Sequence, residues 1–135
     1  MQTVPLRLRP DQDLRAALQA MLAEHGIDAA FVLQGIGSLS AARIRYAGMA
    51  QATELRGNLE ILTLSGSLSI DGAHLHIAVA DAQGRVTGGH VAEGCTVRTT
   101  AEILVALLPA HHFSREPDAD SGYKELVVRG TRRLG

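Results

Sequence analysis

His74, His76 and His90 are three of the six histidines in a chain of 135 residues, and their spacing is one that can gather imidazoles at a single point. Alternate residues of an extended strand face the same way. The segment around them therefore puts His74, His76, Ala78 and Ala80 on one side and Leu75, Ile77 and Val79 on the other. Asp81-Ala82-Gln83-Gly84-Arg85 follows, with glycine where a short hairpin loop takes a left-handed residue. With Gln83 at the centre of that turn, counting outward sets Val79 opposite Thr87 and His76 opposite His90, and leaves His74 diagonal to the pair. Three neutral imidazole nitrogens are a ligand set that leaves a fourth position on zinc open for water or a ligand. A slip of one residue would turn His90 to the opposite face, and Gly88-Gly89 could supply the bulge that causes one. The plainer alternative is a set of solvated or hydrogen-bonded histidines, because an HxH pair is common by chance.

Other chemistry-bearing residues are sparse. Glu60 lies among Leu59, Ile61, Leu62 and Leu64, where a carboxylate needs a partner or water. It is a candidate acid/base group near the histidines, or it points outward. Cys95 is the only cysteine, which leaves no internal disulfide and fits a reducing compartment. Its expected role is that of a small buried apolar residue. His111 and His112 fall in an expected loop and read as solvated. Gly35-Ile36-Gly37-Ser38 lacks the complete spacing of a phosphate-binding motif and reads as a turn.

Composition narrows the function class. Thirteen basic and fourteen acidic residues give a formal charge of −1, so no global field favours nucleic acid or an anionic membrane. Phe31, Tyr46, Phe113 and Tyr123 are the only aromatic residues, too few for a base-stacking platform. The first residues do not have the form of a signal peptide, and no apolar run reaches membrane-spanning length, so a cytoplasmic protein is expected.

The elements that must position these residues read as one domain over residues 1–130, with a short basic tail at 131–135. Val4 to Arg9 alternates as a strand, and Leu14, Leu18, Met21 and Leu22 recur at helical spacing after a cap at Asp11 or Asp13, with Gly26 as the stop. Ile27 to Gln34 predicts a buried strand, and Ala41 to Ala47 a strand with Arg43 and Arg45 on one face. Leu59 to Ile70 predicts one long strand, or two with a bend at Gly66. Val91 to Val97 continues the strand after the hairpin. Thr99-Thr100-Ala101-Glu102 has the form of a capping box, so a second helix is expected through Leu108, ended by Pro109. Residues 113–122 are turn-rich, and Tyr123 to Arg129 alternates as a last strand. Two helices among six or seven strands, without strict βαβ order, predict an α+β fold with a curved, mostly antiparallel sheet.

The chain resembles the plants and prokaryotes conserved (PPC) domain family along nearly all of its length. The resemblance rests on Gly35-Ile36-Gly37-Ser38-Leu39, Gly57 to Gly66, Gly72 to Ala78, Gly88 to Cys95, Thr99 to Ile103 and Ser121 to Leu126. It implies a small domain assembling as a homotrimer, cytoplasmic in bacteria. Bacterial members are often called DNA-binding by analogy with plant members, whose separate AT-hook segments grip DNA; no AT-hook occurs here. Where the plant partner-contact segment reads Gly-Arg-Phe-Glu-Ile-Leu, this chain has Gly57-Asn58-Leu59-Glu60-Ile61-Leu62. The fold is also similar to that of bacterial acetolactate decarboxylase, which holds zinc with an HxH pair and a later histidine. His74, His76 and His90 match that pattern with a somewhat longer gap. The resemblance thus implies a divalent-metal site, with Glu60 as candidate proton carrier and Arg115 as a weaker member of a charged set. The expected function is a metal-dependent homotrimer that binds or acts on a small ligand. The alternatives are a DNA-associated regulator using Arg7, Arg9, Arg43, Arg45 or the C-terminal arginines on phosphates, and an assembly scaffold without activity.

Overall fold

A computed structural model describes residues 2–130, so the basic tail expected at 131–135 lies outside the described residues. The elements run β1 (Gln2–Leu8), α1 (Leu14–Glu24), β2 (Ala29–Arg45), β3 (Thr53–Ser69), β4 (Gly72–Ala80), β5 (Val86–Val91), β6 (Thr96–Leu107), β7 (His111–Pro117) and β8 (Lys124–Gly130). Six strands form an antiparallel sheet in the order β1-β6-β2-β3-β4-β5, while β7 and β8 pair as a separate hairpin. The sheet curves enough for its edge to meet its middle, since β5 also pairs with the far end of β2 through Ile44 and Val91, and Arg45 and His90. Two 17-residue strands, β2 and β3, carry this curvature, and their ladder shifts register between Leu39 and Ala41. Such a bulge increases local twist.

One face of the sheet is covered by α1. Asp13 caps this helix by accepting the Ala16 N–H at 2.9 Å and ties it to the loop between β5 and β6 by accepting the Gly94 N–H at 2.7 Å. The helix buries Leu14, Leu18, Met21 and Leu22. These join Leu64, Leu68, Leu75, Ile77 and Val79 in the core, so the alternation read in β4 places its apolar side against the helix. Cys95 belongs to the same core. Among the described residues, no helix is long and apolar enough to cross a membrane.

The α+β class and mostly antiparallel sheet are as expected, but one predicted helix is a strand. Thr99–Leu108 was expected as a helix on its capping-box pattern; residues 99–107 instead lie in β6, held on both sides by β1 and β2. Ala101, Ile103 and Val105 are buried while Glu102 and Leu104 are exposed, the period of a strand. Thr99 does not cap: its N–H and Oγ1 engage Ser38 Oγ, at 3.2 Å and 2.7 Å. Gly35-Ile36-Gly37-Ser38 is likewise not a turn but lies inside β2. A side chain at Gly37 would overlap the Thr100 carbonyl of β6, so this glycine permits close strand approach. The strand after the hairpin stops at Val91, and His111 and His112 lie in β7 rather than a loop.

Candidate metal centre

The hairpin β4–β5 sets the histidines. Asp81 closes its turn, with its N–H on the Arg85 carbonyl at 2.9 Å and its Oδ1 accepting the Gln83 and Arg85 N–H groups, both at 2.9 Å. Gly84 takes the left-handed conformation with φ of 77°. The ladder that results pairs Val79 with Thr87 and His76 with His90, the register counted from the sequence.

His74, His76 and His90 each offer a ring nitrogen, and these atoms all lie within 4.8 Å of one another. The ring centroids are 5.0 Å apart for His74 and His76, 5.5 Å for His74 and His90, and 4.7 Å for His76 and His90. Nitrogens bound to one tetrahedral zinc at about 2.0–2.1 Å are separated by about 3.3 Å, within reach of small ring rotations from this arrangement. His74 and His76 are exposed and His90 is half-buried, so such rotations are not blocked by packing. Partial desolvation, and then Arg115 together with the neighbouring rings, lowers the His74 pKa below its ordinary value; Glu125 opposes the shift. Desolvation, Arg45 and His76 lower that of His90. Both shifts favour the neutral imidazole, the form that binds a metal. The donor set, its convergence and its charge state therefore fit a divalent ion.

Adjacent strands extend this centre. Ser65 stands opposite His76 and Ser67 opposite His74 on β3, while Arg45 of β2 stands opposite His90. Arg115 Nη2 donates to Ser67 Oγ at 2.7 Å, and its backbone N–H donates to Asp71 Oδ2 at 2.8 Å. An open cleft of about 940 Å³ runs beside His74 and His90, with Arg15, Arg45, Arg115, Lys124 and Glu125 on its walls.

Glu60 is not brought to the histidines. It is exposed and opposite Ala80, four residues along β4 from His76, or roughly 13 Å at the rise of a strand. Paired residues share a face, so Glu60 does face the same side. His112 is elsewhere, bound to Asp28 at 2.9 Å. Arg15 and Lys124 were not singled out from the sequence. Their only link to the histidines is tertiary, through the packing of α1 and the return of the β7–β8 hairpin.

The sequence profile of the Plants and Prokaryotes Conserved (PCC) domain, the PPC domain by its other abbreviation, matches residues 1–109. The chain is 50% identical over 128 residues to the bifunctional protein GlmU of a Synechococcus strain, covering 95% of this chain and 21% of that protein. It thus spans about a fifth of the length of the curated relatives it matches. Among solved structures, a protein from Salmonella enterica superposes with a TM-score of 0.93 at 43% identity, covering 98% of this chain and 95% of that one. A metal-containing protein from Archaeoglobus fulgidus superposes with a TM-score of 0.82 at 29% identity, covering 94% of each chain.

Proposed function

The chain belongs to the Plants and Prokaryotes Conserved domain family, and from that premise we propose that it is a metal-dependent member, holding one divalent ion, most simply zinc, on His74, His76 and His90. The observation that carries this reading is the convergence of three ring nitrogens from two adjacent strands within 4.8 Å. The metal-containing relative from Archaeoglobus fulgidus supports it, being similar over almost the whole chain. Bound there, a divalent ion would supply an open coordination position and Lewis acidity toward a ligand oxygen.

The cleft beside the centre suits a small molecule, since its volume of about 940 Å³ is of the size that ligand sites have. Arg115, steadied by Ser67, would orient such a ligand. Glu60 was the candidate proton carrier from sequence, and it could serve only a ligand extending along β4. Glu125 on the cleft wall is better placed to exchange a proton.

The functional unit proposed is a cytoplasmic homotrimer. The family resemblance implies the assembly, and Phe31, Leu33, Ile36, Leu62 and Leu104 supply a surface for it, each between 38% and 50% exposed. Exposed apolar side chains gathered into a patch mark association sites, and Ile36 and Leu104 line one shallow groove. The DNA reading has less support: Arg45 is turned to the cleft, and Arg7 Nε donates to Thr100 Oγ1 at 3.2 Å.

Metal content measured by elemental mass spectrometry, on untagged protein purified without chelator, tests the proposal. About one zinc per chain, lost in His76→Ala, is expected from a three-ligand site with an open position. A metal-free wild type that takes up none on reconstitution would overturn it.

A further inference from the structure

The cations around the histidines are arranged in two groups. On the His90 side, Arg45 is paired in register with His90, and Arg15 Nη1 donates to the carbonyl of the next residue, Val91, at 3.3 Å. On the His74 side, Arg115 is fastened to Ser67, the residue opposite His74, and Lys124 comes from the same β7–β8 hairpin. All four line the cleft.

None of the four has a carboxylate partner among the described residues. Two arginines elsewhere do have one: Arg56 pairs with Glu54 at 2.8 Å and Arg129 with Glu116 at 2.7 Å. In the cleft, Arg15 and Arg45 each spend one N–H on a backbone carbonyl, Val91 and Met49, and Arg115 spends one on a serine hydroxyl. A guanidinium has five N–H donors, so each is held in place with most of its donors unused. Asp71, the carboxylate that could have neutralised Arg115, accepts its backbone N–H instead. With Glu125 as the other acid on the wall, the lysine and arginines of the lining exceed its carboxylates by four to two, a formal excess of two positive charges with the histidines left out of the count.

We propose that this cleft binds a small dianion, with one acid group on Arg45 and Arg15, the other on Arg115 and Lys124, and a hydroxyl or carbonyl oxygen between them over the histidines. Carboxylate and phosphate share the required chemistry, since both accept paired N–H donors from a guanidinium. A neutral molecule of the same shape would leave the guanidinium donors unpaired. The placement of the central oxygen rests on the metal reading given above; the two cationic ends do not.

Calorimetric titration of the full chain, with and without reconstituted zinc, tests the proposal with three probes: malate, phosphoglycolate and the neutral diamide of malate. Malate or phosphoglycolate should bind and the diamide should not, and the tighter of the two acids identifies the preferred group. Arg45→Gln and Arg115→Gln should each weaken binding about tenfold, as loss of a hydrogen bond between charged groups does. Lys124→Gln, on an exposed strand, gives a third reading if either arginine variant fails to melt cooperatively. Equal binding of malate and its diamide, no binding of either acid, or unchanged affinity in the variants would overturn the dianion site. Arginine-dependent binding to protein that takes up no zinc would leave the cleft standing and remove the metal. A zinc-loaded protein that binds neither acid would do the reverse.

Discussion

His76 of β4 and His90 of β5 stand directly opposite each other, their ring centroids 4.7 Å apart and their planes at 85°. The turn that joins the two strands is closed by Asp81, whose side chain accepts two backbone N–H groups of the loop. The centre therefore depends on hairpin register as much as on the histidines.

Metal binding should stabilise the folded chain. A ligand present at a hundred times its dissociation constant, and binding only the folded form, adds about 2.7 kcal/mol. Added zinc should raise the melting temperature of the wild type measurably. His90→Ala should abolish that rise while leaving the apo-protein melting close to the wild type, since the ring is only half-buried. A zinc-dependent shift that survives in His90→Ala would place the ion elsewhere.

The lowered pKa values of His74 and His90 set a pH window. Both lie below the ordinary value of 6.5, for desolvation first and then, respectively, for Arg115 and Arg45. The unfolded chain thus binds protons at these sites more readily than the folded one, and stability rises with pH where the two differ. The contribution is complete above about 6.5 and is lost as pH falls through the folded-state values. Apo-protein melting temperature should be level above neutrality and decline below pH 6.5. Zinc should hold the plateau to lower pH, because protons and metal compete for the same nitrogens. An apo-protein that becomes more stable on acidification from pH 7 to 6 would contradict the assignment.

Local pattern carried the site further than it carried the fold. The residues between His76 and His90 contain their own turn, so the pairing could be counted without any distant contact. β6 could not be read this way. Thr99-Thr100-Ala101-Glu102 satisfies a capping pattern, and ten residues rich in Ile, Val and Leu suit either a helix or a buried strand. The strand is selected by β1 and β2, which lie some hundred and some seventy residues earlier and offer ladders on both sides. The same limit applies to the cleft. Arg45 meets His90 because β2 curls back to β5, and Arg15 arrives through helix packing, neither of which leaves a local trace. Glu60, a carboxylate notable for its apolar neighbours, alternates outward, which is one of the two positions that its local sequence left open.

Cys95 should be inert in the folded protein. It is fully buried, and its burial pushes the thiol pKa above the ordinary value, so little thiolate is present to react. Its Sγ contacts the Arg43 backbone, accepting the N–H at 3.4 Å. A disulfide reagent at pH 8 should titrate no thiol within minutes and one thiol per chain in denaturant. Rapid labelling of the native protein would show that the loop before β6 opens and that Asp13 does not hold it through Gly94.

Gly66 joins fold and site in one residue. It lies in β3 opposite Leu75, with φ of 151°, a conformation side chains rarely adopt. A Cβ there would overlap the His74 carbonyl oxygen and come within 2.8 Å of the Leu75 Cα. Because the obstructing atoms are backbone, no side-chain rotation can relieve the overlap, and β4 must move away from β3. Gly66→Ala should therefore cost about 2–4 kcal/mol, combining backbone strain with overpacking. Movement of β4 would carry His74 away from His76 and His90, so zinc affinity should fall together with stability. Gly57→Ala is the control: it also has positive φ, at 124°, but nothing lies near its missing side chain. It should lose stability through strain alone and keep its zinc affinity. Equal zinc affinity in Gly66→Ala and wild type would show that the histidine cluster tolerates displacement of its own strand.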